Sequence, residues 1–280
     1  MSHMLAGSRD AALAAGSLAF LLGDWVETLF DLPEPDLDGV EGSPESAART
    51  LREMWGLGAR PIKNMVHLLE SKGVRVFSLV EKTRSVDAFS LWRDNKPYVF
   101  LNTIKTSEHS RFDAAHELGH LILHRHGGTA GREVEDEANR FASSFLMPKE
   151  DVIAHMPVAY DVKQVIDKKI RWRVSAFALN YRLHKLNILS EWQYRQFCIQ
   201  LSQQGYRTAE PGGIERERSV VWEKVFSGLR SERITKNDIA AALHIPVAEI
   251  EKLVFGLANM ISFDGAGTGG TPIGKLRLVS

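Results

Sequence analysis

Residues 111–126 read RFDAAHELGHLILHRH, and the reading of this stretch decides the fold. His116, His120, His124 and His126 fall in one apolar, helix-like segment, with Glu117 beside the first of them. On a helix, positions i and i+4 differ by roughly 40° of rotation and one turn of rise. His116 and His120 therefore project from one face, where both imidazoles can reach a single ion at roughly 2.0–2.1 Å. Glu117 lies one step round the helix, beside such an ion, in place to carry a proton from water to a leaving amine. Phe112, Ala115, Leu118, Leu121 and Ile122 surround the pair with apolar surface. Two imidazoles on a packed face are costly without a ligand or partners, so H-E-x-x-H here points to zinc. His126 stands just before Gly127-Gly128 and is expected at the surface, past the helix end.

A catalytic zinc takes three protein ligands and leaves one position open. The next segment, GREVEDEANRFASSFLMP, supplies Glu133, Glu135, Asp136 and Glu137. Glu137 shares a helical stripe with Phe141 and Phe145, and Glu133 shares it one turn earlier. Glu135 points with Ala138 and Ala142, and Asp136 toward solvent. Periodicity alone places Glu137 only slightly ahead of Glu133.

Outward from this pair of helices, three strand candidates precede the motif: VRVFSLV (74–80), DAFSLWR (87–93) and PYVFLN (97–102). Asp94-Asn95 between the last two marks a hairpin, and the three are expected to form a small antiparallel sheet. If PYVFLN is its edge, an extended substrate could add beside it as a further strand. Ser107 or Ser110 is the expected cap of the motif helix, and Met147-Pro148 the stop of the next one. Upstream, residues 11–30 read as an amphipathic helix with Asp24 and Glu27 facing solvent, and 31–46 as a linker rich in Pro, Gly and acid. Ser43-Pro44 then opens a helix, and a second one over PIKNMVHLLESKG stops at Gly73. Downstream the chain is mostly helical, apart from a breaker-rich loop at 205–213 and a Gly-rich tail in which KLRLV could add a short strand. The fold class is thus α+β, mainly helical: a small sheet packed on a zincin-like helical core, with a helical C-terminal subdomain. The expected divisions are 1–46, 47–200 and 201–280.

The formal net charge of the 280 residues is +0, so no global basic field draws nucleic acid. A single cysteine, Cys198, argues against a cysteine-built metal site and fits a reducing compartment. No apolar run reaches membrane-spanning length, and no secretory signal stands out, so a cytoplasmic protein without a membrane partner is expected. The basic cluster KKIRWR (168–173) reads as a solvated face. Residues 231–257 have helix–short turn–helix spacing. Glu249 and Glu251, however, stand where a groove-reading helix favours Arg, Lys, Asn or Gln, which disfavours direct DNA binding.

HELGHLILH followed by EDEANRFASSFLMP strongly resembles the ImmA/IrrE family of metallopeptidases, which shows H-E-x-x-H-x-x-L-H and then E-A-N-x-F-A-x-x-L-L-M-P. The similarity extends over roughly residues 47–200. It is closest in kind to members with an amino-terminal XRE-type helix-turn-helix; this chain opens in what looks like the connecting helix, without such a domain ahead of it. The resemblance implies His116 and His120 as ligands, Glu117 as catalytic base and Glu137 as third ligand. It also matches His124, one turn beyond His120, read here as a hydrogen-bonding support. Tyr181 and His184 in NYRLH are candidate oxyanion donors. The cofactor implied is Zn2+, and the substrate a regulatory protein, typically a DNA-binding repressor of stress or mobile-element genes. The competing reading is a zinc-stabilised sensor or interaction module that sequesters a regulator without turnover.

Overall fold

The computed structural model describes residues 6–79, 88–125, 131–258 and 276–277. Contacts along the chain divide it into two compact units: Met1–Leu37, Val66–Ile104 and Glu217–Ser280 in the first, Asp38–Met65 and Lys105–Arg216 in the second. Each is assembled from separated segments of sequence. His126 and most of the Gly-rich tail lie outside the described residues.

The first unit is organised by a three-stranded sheet. Strands β2 (Arg75–Ser78), β3 (Ala88–Arg93) and β4 (Lys96–Leu101) fall where alternating β-branched and aromatic residues predict them. Asp94 and Asn95 both take positive φ, +50° and +59°, which is the two-residue turn that matches strand twist. The sheet is mixed, not antiparallel: β4 pairs antiparallel with β3 and parallel with β2, in the order β2-β4-β3. PYVFLN is therefore the central strand, and the expected substrate edge does not exist there. Phe77, Phe100 and Phe89 lie in register across the three strands, with ring centroids 5.7 and 4.3 Å apart. Such cross-strand pairs are the unit of sheet stabilisation.

Around the sheet stand helices α1 (Ala6–Leu29), α3 (Met65–Ser71), α10 (Val220–Ser231), α11 (Lys236–Leu243) and α12 (Val247–Val254). α3 starts four residues later than Pro61 suggests. Trp222 of α10 packs edge-on to Phe77 and donates its indole N–H to the Val76 carbonyl at 2.9 Å. α12 buries Ile250, Leu253 and Val254, while Glu249 pairs with Lys252 and Glu251 with Lys236. On α1, Asp24 is exposed, but Glu27 is drawn into ion pairs with Arg75 and Lys96, which corrects its solvent-facing assignment. Gly73 takes φ +75° where a Cβ would collide with the Glu34 carbonyl, and Asp36 N–H donates to the Lys72 carbonyl. The start of the Pro-rich stretch is thus pinned to the end of α3. Short strand β1 (Phe30–Asp31) pairs parallel with β5 (Leu276–Arg277), placing a strand within KLRLV.

The second unit is helical: α2 (Pro44–Met54), α4 (Ser107–Leu123), α5 (Arg132–Leu146), α6 (Lys149–His155), α7 (Val162–Trp172), α8 (Ala176–Lys185) and α9 (Glu191–Gln203). Ser43 caps α2 as expected, whereas α4 is capped by Thr106, whose hydroxyl accepts from His109 N–H at 3.3 Å. α2, α4 and α5 share a core of Ala47, Leu51, Ala114, Leu118, Phe141 and Phe145. Full burial of each phenylalanine contributes about 1.5–3 kcal/mol. KKIRWR is not a solvated face throughout: Lys169 is buried against Glu210 at 2.8 Å, and Asp151 receives two bonds from Arg171 and one from the Trp172 indole. Distant acids, invisible to local periodicity, account for the difference. Glu210 and Glu108 also accept from Ala176 N–H and Ile214 N–H, so the 205–213 loop is anchored through Glu210 and just past its far end. No helix among the described residues is long and apolar enough to cross a membrane.

Candidate metal centre

α4 and α5 pack tightly because of a glycine. A Cβ on Gly119 would lie 3.1 Å from the Phe141 ring and 3.3 Å from the Ala138 Cα, closer than ordinary contact. The residue between Leu118 and His120 thus lets α5 approach, and the approach carries its first two turns to the histidines.

At that contact His116 Nε2 and His120 Nε2 lie 3.0 Å apart, and Glu135 Oε2 lies 3.2 Å from the first and 3.7 Å from the second. Two donors bound at about 2.0–2.1 Å to a tetrahedral ion stand about 3.3 Å from each other. The three separations bracket that value, so this donor set fits one divalent ion. Two imidazoles and one carboxylate are also the chemistry of a hydrolytic zinc site. Among the described residues, these are the ones whose ligand atoms converge in this way.

The carboxylate brought to the imidazoles is Glu135, where the family resemblance implies Glu137. Glu137 instead lies 3.0 Å from His124 Nε2. The stripe that favoured Glu137 is filled from Phe141 onward by buried aromatics, whereas the donors converge at the rim of the helix pair, where Glu135 is 55% exposed. Asn139, not singled out in the sequence, completes the arrangement: its Oδ1 lies 3.0 Å from His116 Nδ1. Its signal was the i, i+4 step from Glu135, which sets both side chains on one face of α5.

Electrostatics favour the ligating forms of His120 and Glu135, and the protonated form of His116. Burial and the neighbouring His116 push the His120 imidazole down to about 4. The hydrogen bond with His116 draws Glu135 down to about 2. Burial lowers His116, but its hydrogen bond to Glu135 and the charges of Glu117 and Glu135 more than offset this and leave it raised. A neutral imidazole and an ionised carboxylate are what a divalent ion binds. Glu117 is buried, only 5% exposed, next to His116 in sequence.

His124 belongs to the same cluster, with Nδ1 3.1 Å from His120 Nδ1. Tyr181 and His184 make other contacts. His184 stacks on Tyr194, lies 3.3 Å from the Leu189 carbonyl through Nδ1 and pairs with Glu191 through Nε2 at 3.1 Å. Tyr181 lies edge-on to Tyr194 and beneath the Lys185 ammonium. Both ring nitrogens of His184 are thus engaged away from His116 and His120.

Comparison with known proteins gives one family: residues 69–184 match the peptidase M78 family, IrrE N-terminal-like domain. No match was found among curated proteins. The matched segment contains all of α4 and α5, hence every residue of the donor cluster. Residues 69–184, which draw two imidazoles and a carboxylate to one point, are thus similar to the IrrE N-terminal-like domain of a metallopeptidase family.

Proposed function

We propose that the protein is a zinc-dependent endopeptidase that cuts a regulatory protein, with His116, His120 and Glu135 holding the ion and Glu117 as general base. The observation that supports this most is the convergence of His116 Nε2, His120 Nε2 and Glu135 Oε2 inside the segment matched to a peptidase family. When bound, such an ion acidifies water and withdraws electron density from a peptide carbonyl. Glu117 then takes one proton from the attacking water and delivers it to the leaving amine nitrogen, so that one peptide bond and one water become a carboxylate and an amine. Glu117 is buried one position along α4 from His116, which suits this shuttle. A DNA-binding repressor is the proposed substrate, on the strength of the family resemblance.

Expression of the wild type and Glu117→Gln side by side, with mass spectrometry of the cell proteins, tests the reading. Gln keeps the shape and the zinc content but cannot accept the proton, so a repressor fragment is expected with the wild type alone. Identical fragments from both would remove Glu117 from the mechanism. Stoichiometric capture of an uncut regulator by both would favour a sequestering module.

A further inference from the structure

His120 is supported from behind by residues outside the ligand set. Its Nδ1 lies 3.1 Å from His124 Nδ1, and His124 Nε2 lies 3.0 Å from the Glu137 carboxylate. One placement of hydrogens satisfies these contacts. A carboxylate only accepts, so His124 donates to it from Nε2. The Nδ1 of neutral His124 is then an acceptor, and His120 must carry its own hydrogen on Nδ1. That leaves the lone pair of His120 on Nε2, the atom facing His116 and Glu135. When neutral, His116 reaches the same state by a shorter route, donating from Nδ1 to the Asn139 amide oxygen. Both imidazoles are thereby held in the tautomer that a metal ion requires.

Resting on the reading of His116, His120 and Glu135 as ligands, we infer that Glu137 is a positioning residue. It acts through His124 to fix the tautomer of His120 and to strengthen its Nε2 as a donor. The chain Glu137–His124–His120 places a negative charge two hydrogen bonds behind the ligand. A carboxylate there stabilises positive charge developing on His124 and His120 as the ion draws electron density from them. Nothing in this role brings Glu137 to the ion itself, in contrast to the role that family resemblance implies for it.

The test uses the full chain with Glu137→Ala, Glu137→Gln and Glu135→Ala. Zinc affinity is measured by competition with a chromophoric chelator, and the ligand field by the visible spectrum of the cobalt-substituted protein. Glu137→Ala is expected to bind one zinc per chain about 10–100-fold more weakly, with a shifted cobalt spectrum. Glu137→Gln, whose amide oxygen still accepts from His124, should recover part of that loss. Glu137 is 38% exposed, so the circular dichroism of the metal-free variants should match the wild type. Wild-type affinity and spectrum in Glu137→Ala would overturn the inference, and so would complete loss of binding, which would make Glu137 a ligand. Glu135→Ala separates the positioning role from the ligand set itself. If it keeps full zinc affinity, the ligand set has failed, whatever Glu137 does.

Discussion

At Glu70, burial outweighs every favourable contact. The carboxyl accepts from the Ser219 hydroxyl and from the N–H groups of Val220 and Val221, yet loss of solvent raises it to about 7, with Glu223 adding to the effect. A carboxyl that binds its proton more tightly folded than unfolded stabilises the fold fully below its unfolded value of 4.5, and that contribution is lost as pH rises through about 7. Glu70→Gln stays neutral throughout. Urea unfolding at pH 5 and pH 8 should therefore show the variant gaining on the wild type at the higher pH, by up to about 3 kcal/mol. An equal difference at both pH values would contradict the assignment. Individual residues were unevenly legible in the sequence. His116, Glu117 and His120 follow from a spacing within one helix, because an i, i+4 step fixes which side chains share a face. The partner carboxylate does not, because Glu135 and Glu137 differ only in how α5 is rotated against α4. That rotation is set by Gly119 against Phe141 and Ala138. Glu70 carried no local signal, since its partners are about 150 residues away.

The pairing of α4 with α5 turns on the missing side chain of Gly119. Alanine there gains helix propensity of about 1 kcal/mol. Its Cβ would however press on the Ala138 Cα and the Phe141 Cβ, neither of which is the free end of a flexible chain. Overpacking of this kind costs about 1–3 kcal/mol and forces the helices apart. Gly119→Ala is expected to lower the denaturant midpoint and, by carrying Glu135 away from the imidazoles, to weaken zinc binding. A more stable variant with unchanged zinc affinity would show that the close approach is not what positions the carboxylate. Elements themselves were largely legible. Ser43-Pro44, Asp94-Asn95 and Met147-Pro148 mark boundaries by local chemistry, and the strands by β-branched and aromatic runs. Their pairing was not, because the parallel contact of β2 with β4 depends on which strand the intervening chain leaves in the middle. α7 was missed as an element with a buried face because Lys169, Arg171 and Trp172 are matched by Glu210 and Asp151, both remote in sequence.

Over the whole molecule, the segments alternate between two compact units, so the sheet and the helical unit with the metal donors are each closed by chain from both sides of the motif. The order of strand and helix candidates pointed to a mainly helical α+β protein, but interleaving of this kind leaves no mark in local pattern: no breaker-rich linker separates residues 66–104 from the motif helix α4. A single divalent ion, held at one point between α4 and α5, is expected in this chain of 280 residues. Anomalous diffraction at the zinc edge, from crystals of the full chain grown with zinc, locates that ion directly. One strong peak is predicted, at about 2.0–2.1 Å from His116 Nε2, His120 Nε2 and a Glu135 oxygen. A peak ligated by Glu137 in place of Glu135, or none between α4 and α5, would contradict the ligand set.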